Sequence, residues 1–321
     1  MPHFNISAEA LGHKIKDAAR RHNLDTAKFA SRYAAQRVLD KLDLYLTPFF
    51  ITGGQTVDPR LRETADADIV ALRRVSNREM HTAFKCLVRD VKSEGVEIIA
   101  LSDTPREIAF TFGNPADRWQ ITAMAGGIRA NFGLDVGWSN GWGSRPIEHI
   151  KAREIPSLMN GVPAFRAAMQ PQSTSVAQKV LAVLMQPSTD FRVKHLADVV
   201  SPHIWSPRPD PRMIALEIHR ICFDRGIPMS SVCPQYPESL RWSAMERLEK
   251  TWDSDANASR TGLTLFQAWA DINALWADVH HELERGIADD SRRSKNMRIR
   301  PRLSEVQVPA KRPTTARSVR T

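Results

Sequence analysis

Residues 49–71 read FFITGGQTVDPRLRETADADIVA and set a pair of glycines and a pair of aspartates between two apolar segments. The first apolar segment, 49–52, runs directly into Gly53 and Gly54, and the second begins directly after Asp68. Short apolar runs bounded by a glycine turn are typical of buried strands. The pattern therefore predicts a strand, a glycine turn, a short helix or loop, and a second strand.

Every second position in the later part of this stretch carries a polar residue: Arg62, Thr64, Asp66 and Asp68. In a strand these side chains would line one face, provided that the strand starts early enough. Neighbouring carboxylates raise each other's pKa unless a cation lies between them, and such oxygen ligands suit Mg²⁺ bound to substrate phosphates. The two glycines would let the backbone approach a phosphate closely. The structural alternative is a glycine turn followed by a solvated acidic loop.

A third aspartate lies in NFGLDVG, residues 131–137, which also reads as a strand. Asp135 stands between Leu134 and Val136, so it points to the opposite face from both. If this strand lies beside the one that carries Asp66 and Asp68, Asp135 completes a three-acid metal site. Otherwise Asp135 faces water on an edge strand.

The rest of the chain predicts strands mixed with helices up to about residue 138 and mainly helices after residue 151. Residues 139–171 look like an irregular connection with a short element near 154–159. The predicted helices are 7–22, 26–46, 78–93 (capped by Asn77), 173–185, 191–200, 237–252 and 264–287, and the further strands are 96–101, 107–111 and 118–123. Lys194 and Asp198 are four residues apart, which places them on one helix face as an ion pair. Lys179 lies outside the apolar stripe of its helix, as a surface lysine would.

The composition, with 42% hydrophobic and 25% charged residues, is that of a globular protein without a membrane-spanning run or a secretory signal. Three widely spaced cysteines favour reduced thiols in the cytoplasm over a disulfide framework. The net charge of +9 equals that of residues 291–321, which hold ten Lys or Arg and one acidic residue. We expect this basic tail to be disordered, and it serves either to attract nucleic acid or only to aid solubility.

Three parts of the sequence together resemble the AbiEii/AbiGii-type nucleotidyltransferases, the toxin halves of toxin–antitoxin systems that include the MenT-like type IV toxins. The family pattern is an apolar strand ending in GG and followed by R-x-[ST]-x-D-x-D, then an A-x-K helix, then an R-x-K-D-x-x-D segment. The matching positions here are 51–54, 62–68, 177–179, 192–194 and Asp198. His195 stands where the family often has an acid, which puts a role for His195 in doubt.

The resemblance implies an α/β (α+β) nucleotidyltransferase fold, with a small mixed sheet in residues 1–150, a helical domain in 151–290 and the tail in 291–321. It implies transfer of a nucleoside monophosphate from an NTP, with Mg²⁺ or Mn²⁺, to an RNA acceptor such as the 3′ end of a tRNA. It also implies a cognate antitoxin encoded nearby. The implied metal ligands are Asp66, Asp68 and Asp135, and the implied nucleotide-binding residues are Gly53, Gly54, Arg62, Thr64, Lys179, Lys194 and Asp198. Lys179 would also be catalytic by offsetting charge on the leaving phosphates, oriented by Asp198, and Asp135 would help to activate the acceptor oxygen.

Two alternatives remain open on the sequence. Glycosyltransferases also use D-x-D to hold a metal-bound nucleotide, but there the motif usually follows a nucleotide-binding half, whereas only 65 residues precede Asp66 here. The other alternative is a catalytically inactive transferase fold that binds nucleic acid through its basic tail. Hydrolysis of sugar nucleotides would identify the first, and loss of RNA binding on removal of the tail would identify the second.

Overall fold

The computed structural model describes residues 5–109, 115–138, 151–185, 193–232 and 242–298. The strands are β1 (Phe49–Thr52), β2 (Ala67–Ala71), β3 (Val96–Leu101), β4 (Arg106–Ala109), β5 (Pro115–Ala125), β6 (Ile128–Trp138), β7 (Ala152–Ile155) and β8 (Phe165–Ala168). The helices are α1 (Ala8–His22), α2 (Thr26–Leu42), α3 (Asn77–Lys92), α4 (Gln172–Met185), α5 (Val193–Val200), α6 (Pro211–Asp224), α7 (Trp242–Ser254), α8 (Ala256–Ser259) and α9 (Leu265–Arg298).

The main sheet is mixed, which confirms the predicted fold class. Its strand order is β1-β2-β6-β5-β3, with β4 paired to β5 beside that path. β2 and β6 run parallel, while β1–β2, β5–β6, β3–β5 and β4–β5 are antiparallel. Helix α2 packs against β6 and β5 and buries the apolar residues of its face, among them Tyr33, Val38 and Leu39. The parallel β2–β6 pair therefore lies in the interior of the sheet, and helix α2 covers one face of the sheet there.

Helix boundaries follow the predicted pattern closely, with small corrections at the caps. The N-cap of α3 is Ser76 and not Asn77, because Ser76 and Glu79 form a reciprocal capping box in which each side chain accepts from the other's backbone N–H. Asp25 caps α2 as expected, through a 2.7 Å bond from the amide of Lys28. Helix α2 ends at Leu42, four residues before the predicted end at 46.

The condition set for the second strand is not met, and part of the connection predicted to be irregular forms strands. β2 begins only at Ala67, so Arg62, Thr64 and Asp66 precede the strand and do not line its face. The reason is that β1 pairs with β2 only as far as Thr52 opposite Asp68, after which the chain turns away in a single 3-10 turn at Gly53–Thr56. The supposed irregular connection contains a two-stranded antiparallel sheet, β7–β8, with Phe165 and Ile155 paired and buried.

The buried apolar residues form two clusters. The first is built on the mixed sheet and its helices, with members from Leu11 to Met169, and the second is helical, with members from Val176 to Leu283 together with Val57. The described residues up to Leu283 form one compact unit, and the described residues from Glu284 onward, which belong to α9, are not part of it. The domain division at 150 and 290 stays a prediction.

The second half is mainly helical, as predicted. Helix α9 continues to Arg298, through a segment rich in helix-favouring arginine and lysine, and so includes the first residues of the basic tail. The disorder of the tail stays a prediction. The remainder of the predicted tail lies outside the described residues, as do the predicted starts of the helices at 191 and 237. Every helix in the described ranges is too short or too polar to cross a lipid bilayer.

Candidate active site

The glycine turn is packed directly onto the side chains of the R-x-T-x-D-x-D motif. Gly53 has a left-handed backbone with φ of 66°, and a Cβ added there would lie 1.8 Å from Oδ2 of Asp68. A Cβ on Gly54 would lie 2.8 Å from Cβ of Thr64 and 2.9 Å from Nη1 of Arg62. Both positions thus require glycine, because the backbone approaches these side chains more closely than any Cβ allows.

Replacing Gly53 with alanine is expected to lower the free energy of unfolding more than the same change at Gly127. Both glycines have positive φ, 66° and 76°, so alanine costs about 1–2 kcal/mol in backbone conformation at either position. Gly127 has open space around its Cβ position, whereas at Gly53 the methyl group collides with Asp68, which adds about 1–3 kcal/mol. Urea denaturation of the two variants measures this difference, and equal losses would show that the collision is relieved without cost.

The predicted aspartates come together on adjacent strands. Asp68 of β2 is the register partner of Asp135 of β6, and directly paired residues project from the same face of a sheet. Asp66, just before β2, accepts a 3.0 Å hydrogen bond through Oδ1 from the amide of Gly133, also on β6. Asp135 is only 3% exposed, so it does not face water on an edge strand.

Arg118, which is not among the residues predicted from the sequence, completes this acid cluster. On β5 it is the register partner of Asp135, on the side away from Asp68. Its Nε and Nη2 donate to Oδ1 and Oδ2 of Asp135, both at 2.6 Å, and Nη2 lies 3.9 Å from Oδ2 of Asp66. No local sequence pattern predicts the role of Arg118, because that role depends on which strands pair and in which register.

The acid cluster carries more negative charge than its arginine offsets. Burial, together with the negative charges of Asp135 and Asp66, raises the pKa of Asp68 to about 7, against the smaller opposing effects of the positive charges of Arg62 and Lys194. A cluster of carboxylate oxygens whose negative charge is not fully compensated is a suitable site for a hard divalent cation such as Mg²⁺ or Mn²⁺. Among the described residues, no three His, Cys, Asp or Glu side chains are already placed as ligands of one ion. In particular, both carboxylate oxygens of Asp135 accept hydrogen bonds from Arg118.

The raised pKa of Asp68 predicts a loss of stability with rising pH in metal-free protein. In the unfolded chain an aspartate titrates near pH 4, so between about pH 4 and pH 7 the folded state binds more protons than the unfolded state. The free energy of unfolding therefore falls as the pH rises through this window. Asp68→Asn removes the titration, and the variant should gain stability relative to the wild type as the pH rises from about 4 to about 7. Urea denaturation in EDTA measures both proteins, and a pH-independent difference between them would contradict the assignment.

A second charged cluster surrounds Asp198, which is fully buried on α5. Its Oδ2 accepts from Nζ of Lys179 at 2.5 Å, and its Oδ1 lies 3.1 Å from Nε of Arg62. The backbone oxygen of Asp198 accepts a 2.6 Å bond from the indole of Trp205, which holds this turn of α5 in place. The surface position predicted for Lys179 from its helix is therefore wrong, since Lys179 is 8% exposed. The carboxylate of Asp198, which the sequence pattern paired with Lys194, engages Lys179 and Arg62. Lys194 lies exposed on the same helix.

Arg62 joins the second cluster to the glycine turn. It is 7% exposed, contacts Asp198 through Nε and places Nη1 beside Gly54. Its backbone oxygen accepts a 2.9 Å bond from Nη1 of Arg32, whose own pKa burial lowers to about 9. Burial also lowers the pKa of Lys179, and the neighbouring charge of Arg62 acts in the same direction, whereas Asp198 opposes both. Arg62 thus borders the glycine turn, and the acid cluster lies against the same turn through Asp68.

Comparison with known proteins gives the following matches. The sequence profile of the family described as "Nucleotidyl transferase AbiEii toxin, Type IV TA system" matches residues 56–258. JHP933 from Helicobacter pylori has 12% identity, with 83% of this chain and 97% of that chain covered and a TM-score of 0.45. A further H. pylori protein, described as a candidate nucleotidyltransferase, has 12% identity, with 79% and 95% covered and a TM-score of 0.41. A search of curated proteins found no match.

Proposed function

The chain belongs to the AbiEii family of nucleotidyl transferase toxins of type IV toxin–antitoxin systems, and from this premise we propose its reaction, metal and acceptor. It transfers a nucleoside monophosphate from an NTP to a hydroxyl group of RNA, with the 3′ end of a tRNA as the acceptor, and it depends on Mg²⁺ or Mn²⁺. The observation that carries this proposal is the packing of Asp68 beneath Gly53, in register with Asp135 and bordered by Arg62. The site thus combines carboxylates for a cation with backbone and basic groups for phosphates.

Of the residues around the glycine turn, the aspartates would bind the divalent ion and the others would bind the phosphates of the NTP. Asp66 and Asp68, with Asp135, would hold the divalent ion, whose contribution is to stabilise charge on the attacking and leaving oxygens of an in-line displacement. Gly53, Gly54 and Thr64 would lie against the phosphates. Asp135 is buried on the sheet next to Asp68, where it would orient the acceptor hydroxyl.

The basic residues would stabilise the triphosphate and the pyrophosphate that leaves. Lys179 and Arg62 are both held by Asp198, at 2.5 and 3.1 Å, so their positions are set before substrate arrives. Lys194 is exposed, yet it lies near enough for its charge to lower the pKa of Asp68. Charges fixed in advance stabilise a transition state without the cost of reorganisation. Asp198 is therefore a positioning residue, and Lys179 is the proposed contact to the leaving phosphates.

Incubation of the full chain with each labelled NTP, total tRNA and Mg²⁺ tests the reaction. We expect label on the RNA with at least one NTP, its loss in EDTA, and its return on addition of Mg²⁺ or Mn²⁺. Digestion from the 3′ end should release the label and so locate the acceptor. Absence of transfer with all four NTPs would overturn the proposed activity, and transfer to an RNA other than tRNA would overturn only the acceptor.

The cellular partner we propose is a cognate antitoxin encoded by the neighbouring open reading frame, with both proteins acting in the cytoplasm. Type IV toxins of this family are defined by such a partner. Expression of the chain alone should slow growth, and expression with the neighbouring gene should restore it. The family assignment favours this enzyme over a D-x-D glycosyltransferase or a catalytically inactive nucleic-acid-binding protein.

A further inference from the structure

Arg118 occupies the oxygens that Asp135 would offer to a cation. Both carboxylate oxygens of Asp135 accept 2.6 Å hydrogen bonds from this single guanidinium group. One oxygen of Asp66 is also engaged, by the amide of Gly133. Within the described chain, three oxygens of the cluster accept no hydrogen bond: the two of Asp68 and Oδ2 of Asp66. Nη2 of Arg118 lies 3.9 Å from Oδ2 of Asp66. A divalent ion would meet a cluster that already holds a cation.

We propose that Arg118 is a displaceable internal counter-ion, which holds Asp135 in the nucleotide-free protein and competes with the divalent ion for it. This inference rests on the proposed function and adds a residue that controls when the metal is bound. Its consequence is weak metal binding without nucleotide, since the ion must first break a bidentate, charge-assisted pair. The pair is a structural feature of the sheet, because Arg118 and Asp135 are register partners on β5 and β6.

The position of Arg118 allows the exchange. Its side chain is 30% exposed, whereas that of Asp135 is 5% exposed, so the arginine can leave toward solvent while the aspartate stays in place. A guanidinium group that leaves a carboxylate can pair in the same bidentate manner with a phosphate group. A nucleotide would then supply both the metal and the anion that takes over Arg118. Metal and nucleotide binding would therefore be coupled, and each would raise the affinity for the other.

Mn²⁺ binding to the full chain, measured by titration calorimetry without nucleotide, tests this competition. Arg118→Gln frees Asp135 and should bind Mn²⁺ about tenfold more tightly than the wild type, since loss of one charge-assisted pair removes at least that factor of competition. Arg118→Lys retains the positive charge but not the bidentate pair, and a smaller gain of about threefold is expected. A change in long-range charge alone would give Arg118→Lys no gain.

The chain provides a matched control in Arg74, which makes the same kind of bidentate pair with Asp117, at 3.1 and 3.0 Å. Asp117 is on β5 next to Arg118 but opposite Val136, so it projects from the other face of the sheet. Arg74→Gln also removes one positive charge and one Arg–Asp pair, and its Mn²⁺ affinity should equal that of the wild type. Adding Asp135→Asn to Arg118→Gln should abolish the gain.

Three outcomes would overturn the competition. They are Mn²⁺ binding no tighter than that of the wild type in folded Arg118→Gln or in Arg118→Lys, an equal gain in Arg74→Gln, and a gain that survives Asp135→Asn. Circular dichroism checks that each protein is folded, and if Arg118→Gln does not fold, Arg118→Lys decides alone. The labelled-NTP reaction of the wild type is scored separately. Transfer by the wild type without the affinity differences would reject this inference and leave the proposed function intact.

Discussion

Asp68→Asn is expected to reduce nucleotidyl transfer by about 10³-fold or more, because it removes the charge at the centre of the acid cluster while keeping the shape of the side chain. Asp68 lies between the glycine turn and Asp135, and neighbouring carboxylates and burial together raise its pKa to about 7. Perturbed acids in such places are typical of functional sites. Initial rates of label transfer at saturating Mg²⁺ and NTP measure the loss.

Glu97→Gln provides the control for this variant. Glu97 is an exposed carboxylate of β3, in the same sheet but two strands away from β6. It should retain wild-type transfer, since it removes one negative charge without touching the cluster. Asp68→Asn should fold normally and, from the pH argument, be no less stable than the wild type at pH 8. Substantial transfer by folded Asp68→Asn would remove Asp68 from the metal site.

Asp198→Ala is expected to lower the free energy of unfolding by about 3–5 kcal/mol, the range measured when one partner of a buried ion pair is deleted. The substitution leaves Lys179 and Arg62 charged and buried without their carboxylate. Replacing Lys179 with methionine in the same protein should recover part of the loss, because one of the stranded charges is then gone. Urea denaturation of the single and double variants measures both effects.

Glu246→Ala is the matched control for the buried pair. Glu246 pairs with Lys250 at 3.0 Å on the surface of α7, where both side chains are more than half exposed. Pairs of this kind contribute about 0.3–0.5 kcal/mol, so the variant should unfold almost as the wild type does. A loss for Asp198→Ala as small as that for Glu246→Ala would show that water reaches the Lys179–Asp198–Arg62 cluster.

The sequence predicted much of the local structure because local rules govern it. The strand at 49–52, the glycine turn, and the helices that start at Thr26 and Gln172 each depend on neighbouring residues alone. The prediction failed at Arg62 and Thr64, which do not belong to β2, because the length of a strand depends on the partner strand. It failed at β7 and β8 for the same reason, since each of these four-residue strands is paired with the other.

Residue types and spacing in the sequence were enough to identify the glycine turn and the three aspartates as candidates, and the resemblance to the family added Lys179. Only the tertiary structure decided how they are combined, because parallel pairing of β2 with β6 joins residues 67 positions apart and no local pattern encodes that register. Register placed Asp135 beside Asp68, and it placed Arg118 on the other side of Asp135. Helix packing in the second core buried Asp198 and also Lys179, which the helical pattern alone had assigned to the surface. Charge and burial at one point of the fold come from several distant segments, and therefore the electrostatics of this site follow from the fold as a whole.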